Sequence, residues 1–360
     1  MRILITGSQG YIGSCLTRFL KAKSIDYVGV DTGFFREGVI GPPVKDPNTL
    51  AKDVRHLLPS DLDGVDVVVH LAGISNDPMN KLSAEAVYDP TRMYTKRLAQ
   101  FCKEKSIRFI FASSCSIYGI GGSEYLDERS AVKPQTPYSL NKVQIESDLR
   151  SLADASFSPI ALRFATIYGP SPRIRFDVFV NMLCGMAVSQ RKIILNSDGM
   201  AWRPNLHILD ACEAIFRAIT SNHASGELLC VNVGDDSSNV RVIDVAHSIA
   251  ATFPGLEVEY LRETSCADKT DLIRDRKIAS TGHDVRTYRV SFAKIAKEFN
   301  GFRCMYSLDR GIRELLDYLR NIPLTEEKFR RREHYRLQQL EHLLDTKCIT
   351  ESLFWNSIDN

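Results

Sequence analysis

A tyrosine and a lysine lie four residues apart at the start of a segment with helical periodicity. Residues 137–142 read PYSLNK, and a spacing of four places Tyr138 and Lys142 on one face of a helix. A phenol has a pKa of about 10 and is a weak base at neutral pH, but a neighbouring ammonium lowers that pKa. Tyr138 could then accept a hydroxyl proton while hydride leaves the same carbon. Such pairs also occur on ordinary amphipathic helices, so the surrounding elements decide between the two interpretations.

A glycine-rich turn stands near the amino terminus. Residues 6–13 read TGSQGYIG, after the strand-like run Arg2 to Thr6 and before a helix that begins near Tyr11. Glycine is needed where a backbone turns sharply and where it approaches a pyrophosphate, and the helix N-terminus then holds the anion. Asp31 ends the next predicted strand about 20 residues on, where a carboxylate binds a ribose 2′-hydroxyl. This context predicts a dinucleotide site.

Asp31 also bears on which dinucleotide binds. Its carboxylate would repel a 2′-phosphate, which favours NAD over NADP. Alternatively, Asp31 only caps the turn at Thr32 and Gly33, and Arg36 nearby leaves room for NADP.

Strand-like and helix-like segments alternate over the first 165 residues, which predicts a parallel sheet covered by helices. We expect an α/β Rossmann doubly wound sheet with a smaller mixed α/β lobe. The predicted strands are Arg2 to Thr6, Tyr27 to Asp31, Val65 to Leu71, Arg108 to Ala112 and Pro159 to Arg163. The predicted crossover helices are Tyr11 to Lys23, Ala84 to Lys105 and Tyr138 to Ala153.

The pattern of the sequence changes after Tyr168, and this change predicts how the chain is divided into domains. We expect an NAD-binding domain over residues 1–165, a substrate lobe over 166–205 and 235–320, a return to the first domain over 206–234, and a helical extension over 321–360. The extension is charged, with Leu and Tyr at helical spacing.

Composition restricts the class of protein. Among 360 residues, 46 Lys and Arg nearly balance 44 Asp and Glu. The net charge of the protein therefore does not favour binding to nucleic acid or to an anionic membrane. The longest apolar stretch, Val65 to Ile74, is far shorter than the roughly 20 residues of a membrane helix. The nine cysteines show no CxxC and no metal spacing, which predicts no metal. Their odd number, with no signal peptide expected, favours a reducing compartment. The strand-like start favours a cytoplasmic location.

A serine-rich segment, SSCSIYG at 113–119, follows the predicted strand Arg108 to Ala112. The carboxyl ends of parallel strands are where ligands collect in such sheets. A hydroxyl there could hold the reacting oxygen against Tyr138. Alternatively, these hydroxyls satisfy only backbone groups.

Together these motifs resemble the extended short-chain dehydrogenase/reductase family, specifically its NAD-dependent epimerases and dehydratases of nucleotide sugars. The resemblance covers roughly residues 1 to 320. Its other motifs are KDV at 52–54, HLAG at 70–73, RFATIYGPSPR at 163–173, RPNLHILD at 203–210 and GHDVR at 282–286.

The resemblance implies roles for individual residues. Ser114, Tyr138 and Lys142 match the catalytic set. The positions that match cofactor contacts are Gly7, Gly10, Tyr11, Ile12, Gly13, Asp31, Asp53, Val54, Leu71, Ala72, Gly73 and Lys142. The positions that match the sugar-nucleotide site are Thr166, Asn181, Arg203 and Arg286, with Arg173 and Arg175 following the SPRxRxD form of one subgroup.

Departures from the family pattern narrow the implied chemistry. The 4,6-dehydratases carry Asp and Glu after the catalytic Thr, because elimination of water needs an acid and a base. Cys115 and Ser116 stand at those positions, so dehydration is disfavoured. Cys115 is expected to line the substrate site as a neutral thiol, or alternatively to act as a second acid/base.

The family places the remaining chemistry, reversible oxidation, at C4 of the sugar. The resemblance therefore implies a nucleotide-sugar 4-epimerase acting through a 4-keto sugar, with a 4-dehydrogenase or 4-ketoreductase as the alternative. A non-catalytic NAD-binding redox sensor and a reductase for a substrate without a nucleotide are further alternatives. The resemblance also implies a homodimer, and the tail from Thr325 is a candidate partner surface.

Overall fold

The computed structural model describes residues 1–41, 46–75, 83–260 and 286–356. The strands are β1 (Arg2–Thr6), β2 (Asp26–Asp31), β3 (Thr49–Ala51), β4 (Val67–His70), β5 (Arg108–Ser114), β6 (Ile120–Leu126), β7 (Ile160–Phe164), β8 (Thr166–Tyr168), β9 (Lys192–Leu195), β10 (Trp202–His207), β11 (Leu229–Val233), β12 (Asn239–Arg241), β13 (Glu257–Tyr260) and β14 (Thr287–Val290). The helices are α1 (Tyr11–Ala22), α2 (Ala84–Glu104), α3 (Pro137–Leu152), α4 (Phe179–Gln190), α5 (Ile208–Thr220), α6 (Val242–Ala250), α7 (Ala293–Glu298), α8 (Leu308–Asn321), α9 (Glu326–Phe329) and α10 (Arg336–Asp345).

Seven parallel strands form the main sheet, in the order β11-β7-β5-β4-β1-β2-β3. The predicted Rossmann sheet is therefore confirmed, and the five predicted strands are present with ends that differ by a few residues. The strand order reverses direction between β1 and β4. This reversal is the topological switch point, where ligands bind in open α/β sheets.

Helices cover both faces of this sheet, which explains its apolar strands. Every residue of β7 and β11 is buried, as expected for parallel strands with helices on each side. Helices α2 and α3 pack beside one another, and α1 packs beside α5.

A second apolar core is formed by buried residues from the segment 168–335, together with Ile40. Its buried members include Phe176 and Leu183 near α4 and Leu315 on α8. The small sheets outside the main sheet are β12-β10-β8, β13-β9 and β14-β6, and the last of these pairs β14 with β6, which precedes α3. Within the predicted lobe, Tyr288, Val290 and Phe292 pack in the core of the main sheet instead, and the predicted division of the chain into domains stays a prediction.

The C-terminal extension packs over the carboxyl edge of the main sheet. Leu340 and Leu343 of α10 belong to one apolar cluster with Phe34, which follows β2, and with Tyr88 of α2. Tyr138 packs against the same cluster. The helical pattern of the tail was predictable, but this position over the sheet was not. Over the described ranges, no helix is long and apolar enough to cross a membrane.

Candidate active site

The glycine turn has the close packing that a phosphate cradle requires. Gly7 has φ +73°, and a Cβ there would lie 2.8 Å from the Ala72 nitrogen. A Cβ on Gly13 would lie 2.1 Å from the Gly7 oxygen. Gly10 precedes α1 and has no side chain to cap it. The first backbone N–H groups of α1 can therefore receive an anionic ligand, which is the fit that a dinucleotide diphosphate needs.

Asp31 lies beside this turn at the end of β2. Its carboxylate accepts hydrogen bonds from the Gln9 nitrogen at 2.9 Å and the Gly33 nitrogen at 2.7 Å. Burial raises the pKa of Asp31, and these backbone hydrogen bonds oppose the shift. Asp31 thus does cap the Gly33 turn, as one interpretation of the sequence required, and it also bonds directly to the glycine turn.

The other predicted cofactor positions lie on neighbouring loops. Ala72 donates its N–H to Thr6 Oγ1 at 3.2 Å, so the segment Leu71 to Gly73 lies against β1. Asp53 caps the 3₁₀ turn that starts at Val54, and its carboxylate forms an ion pair with Arg55 at 2.6 Å. The carboxylate of Asp53 is therefore already held by an arginine.

The side chains of Tyr138 and Lys142 lie close together in α3. The Lys142 Nζ is 5.5 Å from the centre of the Tyr138 ring and donates to the Ala112 carbonyl of β5 at 2.8 Å. Burial lowers the pKa of Lys142 to about 8, while Glu146 acts to raise it. The structure thus puts a buried ammonium next to the phenol, the arrangement that could favour a phenolate.

A second cation, Arg175, acts on the same phenol. Burial tends to lower the pKa of Arg175, but Asp177, with a smaller contribution from Tyr138, raises it overall. Arg175 Nε donates to Asp177 Oδ1 at 2.8 Å. By the reciprocity of this interaction, Arg175 also favours the ionised form of Tyr138. Sequence reasoning did not assign Arg175 to the phenol, because 37 residues separate them along the chain.

Ser114 ends β5 and caps the 3₁₀ turn Cys115–Tyr118. Its Oγ accepts a hydrogen bond from the Ser116 nitrogen at 3.1 Å. This bond uses the oxygen as an acceptor, so the hydroxyl can still donate its proton to a substrate. Ser114 therefore bonds to a backbone group, as the alternative interpretation of the serine-rich segment expected. Its hydroxyl still has a proton to donate, as the catalytic interpretation requires.

Cys115 does not line a ligand site. The side chain is 1% exposed within the core, and its Sγ donates to the Arg163 carbonyl at 3.1 Å. Burial raises the pKa of this thiol. The expectations of a lining thiol or a second acid/base are both corrected, since the residue points into the sheet rather than away from it.

Asn181 is fully buried and hydrogen-bonded within the protein. Its Oδ1 accepts from the Gly169 nitrogen at 3.0 Å, and its Nδ2 donates to Tyr11 Oη at 3.1 Å and to the Arg175 carbonyl at 3.0 Å. Tyr11 Oη in turn donates to the Gly169 carbonyl at 2.8 Å. Asn181 thus positions the loop before Arg175 instead of presenting its amide to a sugar. The side chain of Tyr11 is likewise engaged, and Ile12 packs on the core, so only their backbone groups can serve a diphosphate.

The other predicted substrate positions form a separate group. Arg203 of β10 donates from Nη1 to the Trp202 carbonyl at 2.8 Å and to the Arg286 carbonyl. Thr166 of β8 pairs with Asn205 of β10. The structure therefore brings Arg203 and Arg286 together, with Thr166 on the next strand, whereas residues 282–285 lie outside the described ranges. Arg173 is placed elsewhere, next to Asp31, which is the cofactor side of the molecule.

A buried ion pair that sequence reasoning missed fixes α3 to the sheet. Glu146 accepts from Arg163 Nε at 3.0 Å and Nη2 at 2.7 Å, and from Ser113 Oγ at 2.6 Å. Both charged side chains are about 5% exposed or less. Glu146 follows Lys142 by four residues, so the helical spacing that identified Lys142 could also have identified Glu146.

Comparisons with known proteins agree with this geometry. A family model for the NAD dependent epimerase/dehydratase family matches residues 3–234. A Bacillus subtilis (strain 168) protein described as an uncharacterized UDP-glucose epimerase, YtcB, is 30% identical over 274 residues, which cover 69% of this chain and 82% of that protein.

This chain aligns with solved structures of similar fold over nearly the whole length of those structures. MoeE5 in complex with UDP-glucuronic acid and NAD is 25% identical with a TM-score of 0.72, covering 89% of this chain and 99% of that one. The NAD-dependent NDP-hexosamine 5,6-dehydratase TunA is 24% identical with a TM-score of 0.73, covering 89% and 98%. At this identity the likeness to TunA shows the fold alone.

Proposed function

Because the chain belongs to the NAD-dependent epimerase/dehydratase family, we propose that it is a nucleotide-sugar 4-epimerase acting through a 4-keto sugar. The observation that carries the proposal is the contact of Tyr138 with the buried Lys142 ammonium, 5.5 Å from its ring. This pair lies at the carboxyl edge of the sheet, where Ser114 ends β5. Bound NAD supplies the hydride acceptor, and later the donor.

Each side chain has a defined task in this mechanism. Ser114 donates a hydrogen bond to the C4 oxygen and holds it near the phenol. Tyr138 takes the hydroxyl proton as the C4–H bond breaks and the C4=O bond forms, with Lys142 and Arg175 stabilising the phenolate. After the keto sugar has rotated in the site, Tyr138 returns the proton to the oxygen while C4 regains hydride on its other face. The sugar is thus inverted at C4, and the cofactor ends in its starting state.

The residues after Ser114 support epimerisation over dehydration. Elimination of water needs an acid and a base at the sugar, whereas Cys115 is a core thiol and Ser116 is a buried hydroxyl. The named relatives support the substrate class, because YtcB is described as a UDP-glucose epimerase and MoeE5 binds a UDP sugar. We propose a nucleoside-diphosphate sugar with Arg203, Arg286 and Thr166 toward its nucleotide part.

Incubation with UDP, GDP, CDP and dTDP sugars in deuterated water tests this function. We expect inversion at C4, seen by NMR, without deuterium in the product and without net NADH absorbance. Net NADH would instead indicate a 4-dehydrogenase, and no turnover of any sugar would favour the redox sensor. Deuterium at C3 or C5 would contradict the mechanism, since Cys115 is too buried to exchange those protons.

A further inference from the structure

Three arginines converge on two aspartates next to the cofactor turn. Arg173 and Arg175 precede α4, and Arg336 begins α10 of the C-terminal extension. The charges of Asp31 and Asp177 act on Arg336, as do those of both other arginines. The cluster therefore holds one positive charge more than its carboxylates neutralise.

Arg336 is the residue that carries this excess. Its side chain is 4% exposed and lies over the ring of Phe35, with the guanidinium carbon 4.1 Å from the ring centre. The two terminal nitrogens, Nη1 and Nη2, are buried without a hydrogen-bond partner among the described residues. Burial, together with the neighbouring Arg175, lowers the pKa of Arg336 to about 9. A buried arginine fork without acceptors is costly, and a phosphate would supply them.

The neighbouring aspartates are already occupied. Asp177 accepts two hydrogen bonds from the Arg175 guanidinium and one from the Arg336 backbone nitrogen. Asp31 accepts from two backbone nitrogens, those of Gln9 and Gly33. Neither carboxylate accepts from the terminal nitrogens of Arg336, which leaves both nitrogens able to donate to a bound ligand.

The position of the cluster indicates which ligand this is. Asp31 bonds to the Gln9 nitrogen of the glycine turn, and Ser171, next to the arginine segment, donates to the Tyr11 carbonyl at 3.0 Å. The arginines therefore lie beside both the predicted ribose carboxylate and the N-terminus of α1. These are the two features that hold the diphosphate and ribose of a dinucleotide.

We propose that the Arg336 guanidinium binds the diphosphate of bound NAD, so that the C-terminal extension completes the cofactor site. The inference rests on the NAD site of the proposed function. It adds to that site a side chain from outside the segment that matches the family model. The planar fork of arginine can donate two parallel hydrogen bonds to phosphate oxygens. The α1 N-terminus and Arg336 would then both bind the diphosphate.

The rest of the extension is bonded around the same site. The Trp355 indole nitrogen donates to the Thr32 carbonyl, one residue after Asp31, at 2.6 Å. Arg55, which pairs with Asp53, donates from Nη1 to the Ser352 carbonyl at 2.7 Å. The tail is thus fixed to the loops predicted to hold the ribose and the adenine.

The variant Arg336→Met tests the inference through binding, measured by calorimetry in the full-length protein. We expect the affinities for NAD and for ADP-ribose to fall about 30-fold, the loss typical of hydrogen bonds to charged groups, while UDP binds as in the wild type. The ligand-free melting temperature should stay the same or rise, because methionine removes an unsatisfied buried cation. Arg336→Lys keeps the charge without the fork and should lose about tenfold in NAD affinity.

Arg330→Met is the matched control in the same extension. Arg330 pairs with Glu326 at 2.8 Å and is 35% exposed, and this variant should bind NAD as the wild type does. Loss of UDP affinity with NAD affinity retained in Arg336→Met would overturn the inference, because the arginine would then serve the diphosphate of the substrate. A lower ligand-free melting temperature with unchanged NAD affinity would also overturn it. Because no sugar is present, these results are independent of whether 4-epimerisation is observed.

Discussion

In the proposed mechanism, proton transfer depends on the buried ammonium of Lys142. It lies between the Ala112 carbonyl and Glu146 and beside Tyr138. Burial makes this charge costly to the fold, yet the same low-polarity surroundings strengthen its effect on the phenol. A residue proposed to serve catalysis thus carries a cost in stability.

Tyr138→Phe removes only the hydroxyl that moves the proton. We expect turnover of the sugar nucleotide to fall about 10²- to 10⁴-fold, the usual contribution of general acid–base catalysis. NAD affinity and the melting temperature should stay near the wild-type values. Tyr125→Phe, at a residue that is 48% exposed, is the control and should keep full activity. Equal turnover by Tyr138→Phe and wild type would contradict the mechanism.

Lys142→Met tests the cost of the buried charge through pH. Burial lowers the pKa of Lys142 from its ordinary 10.5 to about 8, so between these pH values the unfolded chain binds the extra proton. The free energy of unfolding of the wild type should therefore rise with pH in this window, relative to Lys142→Met. The expected gain is about 3 kcal/mol, measured by urea unfolding of both proteins from pH 7 to 10.5. A pH-independent difference between the two would show that folding leaves the pKa of Lys142 at its ordinary value, so that burial imposes no cost on its charge.

The Glu146–Arg163 pair holds α3 in place. Glu146 lies on the helix that carries Tyr138, Arg163 lies on β7, and Ser113 on β5 joins them. The helix that carries Tyr138 is thereby tied to two central strands.

Breaking this pair should destabilise the fold strongly. Glu146→Gln leaves Arg163 buried without its counter-charge, and we expect a loss of about 3–5 kcal/mol in the free energy of unfolding. The double variant Glu146→Leu/Arg163→Met should recover much of that loss, because no unpaired charge remains. Asp148→Asn on the same helix is the control. Asp148 is 11% exposed, but its partner Arg92 is 41% exposed, so water can solvate the arginine left behind and the loss should be smaller, about 1 kcal/mol. A similar loss in both single variants would refute the assigned role of the buried pair.

The main sheet could be predicted from sequence because its strands are apolar and short, and because glycine and aspartate mark the first two turns. Tyr138 and Lys142 could be predicted because a helix fixes their spacing. By contrast, Cys115 and Asn181 were assigned to the substrate by position alone, and sequence cannot show that one points into the core and the other bonds to Tyr11. Arg336 lies more than 300 residues from Asp31, so only tertiary packing could join them.

In the proposed NAD site, the C-terminal extension also determines how firmly the cofactor is retained. Trp355 bonds to Thr32 and packs on Phe34, with ring centres 5.6 Å apart. A dinucleotide held between the glycine turn and this tail could leave only after the tail had opened. Such retention suits an epimerase, whose cofactor returns to its starting state in every turnover, better than a dehydrogenase that must release NADH.

Trp355→Ala should therefore speed the release of bound NAD. The variant loses the bond to the Thr32 carbonyl and the packing on Phe34, and losing about 1.4 kcal/mol of tail docking would raise the release rate about tenfold. Release can be followed by chasing NAD-loaded protein with ADP-ribose and assaying the free nucleotide. The chain has only one other tryptophan, and Trp202→Phe on β10 is the control, with release expected at the wild-type rate. If Trp355→Ala released NAD no faster than this control, the tail would not hold the cofactor, and a dehydrogenase with exchangeable NAD would fit the molecule as well as an epimerase.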